Sequence, residues 1–218
     1  MEYCIPPSDS YYVKNRKFLL LFILLLAFVP GRTGSRLHAY RLIYREQLYE
    51  LHHRQLYNYP LDIAENIHWL ETALRADFAN PLNALARIES DREWDKYRPL
   101  FTMHLNLKLT ELYLLWATGY YKFDAYFYNY PWKEQNLESL EKSETLLTYA
   151  LVYWDEARKY AAEAGEFQWL YLEEVQFWED ELYRIQQGEL DYRRIINKHL
   201  DRLREVRSEF EAMDSSTY

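Results

Sequence analysis

Apolar residues recur at three- and four-residue steps along most of this chain, the period of an amphipathic helix, and the breaks in the pattern fall at prolines and glycines. The first run, with Leu37, Tyr40, Tyr44, Leu48, Leu51 and Tyr57, predicts a helix over residues 35–58 that Pro60 stops. Asp62 followed by Glu65 has the form of a capping box, and Ile63, Ile67, Leu70 and Leu74 make the stripe of a second helix. Asn80-Pro81 reads as N-cap and first residue of a third helix, carrying Leu82, Leu85 and Ile88 and ending near Tyr97. Residues 100–117, after Pro99, are apolar on nearly every side, which predicts a central helix that Gly119 ends or bends. Residues 132–164 lack Gly and Pro and form either one long helix or two joined by a polar turn near Lys142-Ser143. Gly165 is a C-cap glycine, and residues 166–187 predict a helix through Trp169, Leu172, Val175, Phe177, Trp178, Leu182 and Ile185 that Gly188 closes. Asp191 caps a last helix along Ile195, Ile196, Leu200, Leu203, Val206 and Phe210, and the tail over residues 214–218 frays. The predicted fold is all-α, with antiparallel helix pairs stacked as an α-α solenoid or packed as an irregular bundle, over residues 35–213.

One apolar run does not alternate. Phe18, Leu19, Leu20, Leu21, Phe22, Ile23, Leu24, Leu25, Leu26, Ala27, Phe28 and Val29 follow the basic residues Lys14, Arg16 and Lys17 and precede Pro30-Gly31. A helix of that length spans about 18 Å against a hydrocarbon core of about 30 Å, so residues 1–34 read as a signal peptide or a short membrane anchor. Cleavage after Gly31 and retention as an anchor both fit. In either case the basic flank stays in the cytoplasm and the body is expected on the periplasmic side of the cytoplasmic membrane, anchored or released.

Composition narrows the chemistry. The chain is 49% apolar, enough to fill a core, and has only five Gly and seven Pro. Its net charge is −8; residues 1–34 carry a surplus of two positive charges, so the body carries −10. Such a surface repels phosphate backbones, and nucleic acid is not an expected partner. Arg193, Arg194, Lys198, Arg202, Arg204 and Arg207 alternate with Asp201, Glu205 and Glu209 and read as a mixed-sign helix surface. Cys4 is the only cysteine and precedes the apolar run, which leaves the body without thiol chemistry.

The punctuation at Pro60, Pro99, Pro131 and Gly165 approaches the period of a helix-pair repeat. Residues 153–164, Tyr-Trp-Asp-Glu-Ala-Arg-Lys-Tyr-Ala-Ala-Glu-Ala, resemble the second helix of a tetratricopeptide repeat, with small Ala157, Ala161 and Ala164 at close-packing positions and Pro60 and Pro131 placed like repeat-ending prolines. Thr145 stands where that family has its first-helix glycine, and Ala161 replaces its usual ring. A short apolar anchor before a Tyr-rich domain of this kind also resembles periplasmic proteins of spirochaetes, including small helical-repeat components of the periplasmic flagellar collar. That resemblance implies a structural part of the motor complex, bound to other collar proteins.

Candidate catalytic groups are few. Glu50-Leu51-His52-His53 and Glu65-Asn66-Ile67-His68 each contain Glu-x-x-His, the spacing that a carboxylate-bridged metal site in a helical bundle uses, but such a site needs further inward carboxylates from two other helices. With 34 acidic residues in the chain, exposed or partly buried helical polar residues are the simpler reading of those pairs, and a solvated helix face is that of Glu173-Glu174 and Glu179-Asp180-Glu181. No Gly-x-Ser-x-Gly elbow or phosphate loop occurs, so no catalytic residue, metal ligand or cofactor is assigned.

The densest feature is aromatic: ten rings fall between Tyr113 and Trp132. They either fill a core corner or line a concave surface that takes a partner helix or peptide, and Trp116, Tyr120, Tyr121, Tyr126, Tyr128, Tyr130 and Trp132 are the candidate partner-binding residues. The function expected from the whole is a non-enzymatic, membrane-associated periplasmic scaffold joining proteins in a larger assembly. A tetratricopeptide-like partner of a periplasmic solute transporter and a helical metal-carboxylate enzyme are the alternatives.

Overall fold

The computed structural model describes residues 41–56, 62–121 and 129–216. The chain divides into two units, Met1–Arg41 and Leu42–Tyr218, and the account below concerns the second. The targeting residues 14–29 lie outside the described residues. Among the described residues no helix is long and apolar enough to cross a membrane.

The fold is all-α. Helix α1 starts at Arg45, runs as α-helix over Arg45–Leu48 and continues as a π-helix over Tyr49–Leu56. Helix α2 spans Ile63–Arg75, α3 Asp91–Gly119, α4 Lys133–Gly165, α5 Gln176–Gln186 and α6 Tyr192–Ala212. Single 3-10 turns sit at Pro81–Asn83, Tyr130–Trp132 and Glu173–Val175.

Helix α3 is the central helix of the second unit. Every residue from 100 to 107 is buried, including Thr102, His104 and Asn106, so α3 is enclosed on all sides, as its run of apolar positions predicts. Its main partner is α4, a single unbroken helix. The buried face of α4 repeats at three- and four-residue steps through Leu140, Ser143, Leu147, Ala150, Trp154, Ala157, Ala161 and Ala164. Fully buried Ala150, Ala157 and Ala164 keep side chains out of the way of the neighbouring backbone, and Ser143 donates to the carbonyl of Ala117 on α3 at 2.9 Å. Helix α6 packs against α4 through Ile196, Leu200, Leu203, Val206 and Phe210, the predicted stripe without its first member, since Ile195 is exposed.

Arg45 fastens the start of α1 to the end of α2. Its guanidinium donates to the carbonyls of Ala73, Leu74 and Ala76 and to Thr102 Oγ1, and lies 4.1 Å over the Phe78 ring. The orphan carbonyls of the last turn of α2 are thereby satisfied by a cation, the sign that a helix C-terminus favours. On the other side of α3, Tyr113 and Tyr153 stack and both donate to Glu71 Oε1 at 2.8 Å, which joins α2, α3 and α4.

Four expectations need correction. Residues 41–43 are not helical, and Tyr44 pairs with Asp77 in extended backbone, so within the described residues the helix expected over 35–58 begins at Arg45, while residues 35–40, 57 and 58 lie outside them. Asp62 makes no side-chain cap bond to α2. No third helix fills residues 81–97: Asn80-Pro81 opens only a 3-10 turn, Leu82 is 93% exposed, and the helix starts at Asp91 behind a true capping box in which Ser90 and Glu93 exchange bonds of 3.2 and 3.0 Å. Pro99, expected to separate two helices, lies inside α3. Its ring removes one helical hydrogen bond, a loss of about 3 kcal/mol that the burial of the helix on all sides outweighs.

Candidate interaction site

A fifth correction places the site. Residues 166–172 do not join the helix that follows them; α5 starts only at Gln176, after the 3-10 turn. Trp169 has φ 66°, in the left-handed region, where a bulky side chain is strained by about 1–3 kcal/mol. Its side chain is also fully exposed, so no local packing offsets that strain.

What holds the loop lies beneath it. Lys96 on α3 and Glu179 on α5 are buried and pair at 2.7 Å. The Lys96 ammonium also donates to the carbonyl of Leu170, and Glu179 Oε1 accepts the backbone N–H of Leu172 at 3.0 Å. The pair thus takes over one backbone acceptor and one backbone donor that a helix would have satisfied, on either side of Tyr171. Leu172 and Val175 are buried just beyond and anchor the far end. At the near end Gly165 closes α4, and a Cβ there would lie 1.9 Å from Gln186 Nε2, so the bare glycine gives the Gln186 side chain its place.

Between loop and α5 lies an open groove of about 630 Å³. Phe167, Trp169 and Tyr171 line it from the loop, Asp180, Tyr183, Gln186 and Gln187 from α5 and the turn after it, and the Lys96–Glu179 pair from below. Trp169, Tyr171 and Tyr183 are all exposed, and Asp180 forms no ion pair among the described residues. Partial desolvation and then the carboxylates of Asp180, Glu179 and Glu173 raise the Tyr171 hydroxyl above its ordinary pKa, which marks a negative field at the groove.

A second polar cluster is internal. Tyr49 of the π-helix donates to His104 Nε2 at 2.8 Å, and His104 Nδ1 lies 2.6 Å from Glu181 Oε2 on α5. Glu181 faces Lys108 at 3.4 Å, Lys108 pairs with Glu111 at 2.9 Å, and Tyr192 of α6 donates to Glu111 at 3.0 Å. Burial lowers the His104 pKa, with the Glu181 bond opposing it, and burial raises that of Tyr49, which keeps the imidazole neutral and the phenol protonated. An activated nucleophile needs the opposite shift at its hydroxyl. The cluster ties α1, α3, α5 and α6 together, with both His104 ring nitrogens and the Tyr49 and Tyr192 hydroxyls hydrogen-bonded inside the protein.

The residues of the two Glu-x-x-His motifs do not converge. Glu50 pairs with Arg54 at 2.7 Å, His53 bonds buried Asn66 at 2.9 Å, and Glu65 and His68 are exposed. Among the described residues no group of three His, Cys, Asp or Glu is arranged to hold a metal.

The aromatic segment singled out in the sequence is divided. Trp116 and Tyr121 are half-buried and pack on the core, and the Tyr121 hydroxyl bonds His199 Nδ1. Tyr120 is half-buried at the end of α3, whereas Tyr130 and Trp132 are exposed in the turn before α4. Tyr126 and Tyr128 lie outside the described residues. Trp169, Tyr171 and Tyr183 carry no such expectation, although Phe167, Trp169 and Tyr171 alternate at a period of two, a spacing that conflicts with the helix assigned to them.

Residues 92–213 match the family described as a domain of unknown function (DUF8513). The chain belongs to that family. The matched span runs from the first turn of α3 to the end of α6, so the family's domain holds Lys96, Glu179 and the whole aromatic groove, while α1 and α2 precede it. No curated protein and no solved structure matches the chain.

Proposed function

We propose that this protein is a non-enzymatic interaction module, held at or released from the outer face of a cytoplasmic membrane, whose groove between residues 166–172 and α5 receives a protein partner. The observation that carries the reading is Trp169: a strained, fully exposed indole held in place by a buried ion pair. Strain and exposure both cost stability, and neither is repaid among the described residues, whereas tryptophan is among the residues most enriched as anchors of protein interfaces. Because the loop is fastened before any partner arrives, little ordering entropy is lost on binding. The surroundings proposed are those the N-terminal run suggests, a membrane-associated periplasmic assembly of which the flagellar collar is one candidate. Binding supported on this face leaves Tyr130 and Trp132 as a separate exposed pair on the opposite end of α4 from Gly165. The test is co-purification from detergent-solubilised membranes with the full chain and with Trp169→Ala. Partners recovered with the first and missing with the second support the module, and an unchanged set removes the groove from it.

A further inference from the structure

We infer that the groove takes a basic segment of its partner, with an arginine or lysine side chain seated against Trp169, Tyr171 and Tyr183 and paired with Asp180; this rests on the interaction-module reading above. Among the described residues the lining contains a single cation, Lys96, and that ammonium is buried and neutralised by Glu179. The exposed part of the lining is aromatic faces, amides and the carboxylate of Asp180, which forms no ion pair among the described residues. Ring faces attract cations through their quadrupole, and the guanidinium of arginine both stacks on rings and bonds carboxylates. The approach has the same sign: Glu173, in the turn that ends the loop, is exposed, forms no ion pair among the described residues, and acts with Asp180 on the Tyr171 hydroxyl. An acidic segment would meet these charges and the overall −8 of the chain, while a basic one is steered in by them. A volume of about 630 Å³ lies within the range of about 300–1,000 Å³ typical of ligand-binding clefts.

The experiment is fluorescence anisotropy on the full chain with short labelled Gly/Ser peptides that carry arginine, the uncharged arginine isostere citrulline, or glutamate. The arginine peptide should bind, and salt should weaken it; the citrulline and glutamate peptides should each bind at least about tenfold more weakly. Trp169→Ala and Asp180→Lys should each weaken the arginine peptide by about tenfold or more, whereas Glu141→Lys, the same change of charge on an exposed residue outside the groove, should change it by less than about threefold. Failure of the arginine peptide to bind, or equal binding to the wild type and Trp169→Ala, overturns the inference. Tight binding of citrulline or glutamate peptides that Trp169→Ala abolishes also overturns it, and leaves the groove as an interaction site of another chemistry. Self-association in sedimentation that Trp169→Ala abolishes, with no peptide bound, overturns it in the same way and gives the groove to a second copy of the chain.

Discussion

Lys96 and Glu179 are separated by 83 positions in sequence and meet at 2.7 Å with almost no exposure to water, directly beneath the loop that carries Trp169. A buried ion pair is a poor source of net stability, because desolvation offsets most of its attraction. Its value here is geometric: it supplies one donor and one acceptor to a backbone that has left the helix.

Removing one partner should therefore do more harm than removing both. Lys96→Met leaves Glu179 buried and uncompensated and should cost about 3–5 kcal/mol in urea denaturation. The double variant Lys96→Met, Glu179→Leu should recover most of that loss and still speed amide exchange over residues 166–172, because the Leu170 carbonyl and the Leu172 N–H have lost their partners. A double variant with wild-type protection in the loop would show that the pair does not hold it.

Two tryptophans should respond in opposite ways. Trp154 is 1% exposed between α4 and its neighbours, and Trp154→Ala should cost about 3–5 kcal/mol. Trp169→Ala should stay within about 0.5 kcal/mol of wild type, as exposed substitutions do. Trp169→Gly should be no less stable than Trp169→Ala despite the entropy of glycine, because φ 66° is free of strain only for glycine. Thermal melts of the three variants check the order, and a marked loss at Trp169→Gly would contradict the left-handed conformation.

Stability should fall as the solution becomes mildly acidic. Burial lowers the pKa of His104, His53 and His52 from 6.5 in the folded chain. Above that value both states are neutral; as the pH falls through it the unfolded chain takes up protons that the folded chain resists, so stability is lost down to the folded-state pKa values. Glu46 acts with the opposite sign, since burial raises its folded pKa above 4.5, and the folded chain binds that proton first as the pH falls. Urea midpoints between pH 7.5 and 5.5 should decline, and His104→Gln, though less stable, should show a shallower decline. An equal slope in the variant would mean that His104 is not the buried neutral group described.

Periodicity carried far into the fold where a single face is buried. The stripe of α6 from Ile196 to Phe210 is the buried face, and Gly188 closes α5 at φ 71° with the Glu189 N–H returned to the Arg184 carbonyl at 2.9 Å. It failed where distant residues override local preference. Pro99 reads as a stop, and only the enclosure of α3 from every side lets the helix run through it. Residues 166–187 contain enough apolar positions for one helix, but the first seven are drawn out by Lys96 and Glu179, which no local pattern connects. The site was hidden for the same reason: ring density pointed to residues 113–132, while the rings set out for solvent at the groove are spread between Trp169 and Tyr183 and gathered by the loop.

The central claim is that Trp169 is a built anchor for a protein partner, and the most direct measurement pairs folding with capture on the same two proteins. Wild type and Trp169→Ala are melted side by side and then used as bait on solubilised membranes at equal concentration. The account predicts melting temperatures that agree within the scatter of the method and the loss of at least one partner that the wild type retains reproducibly. Capture of the same partners in the same amounts by a folded Trp169→Ala would contradict it.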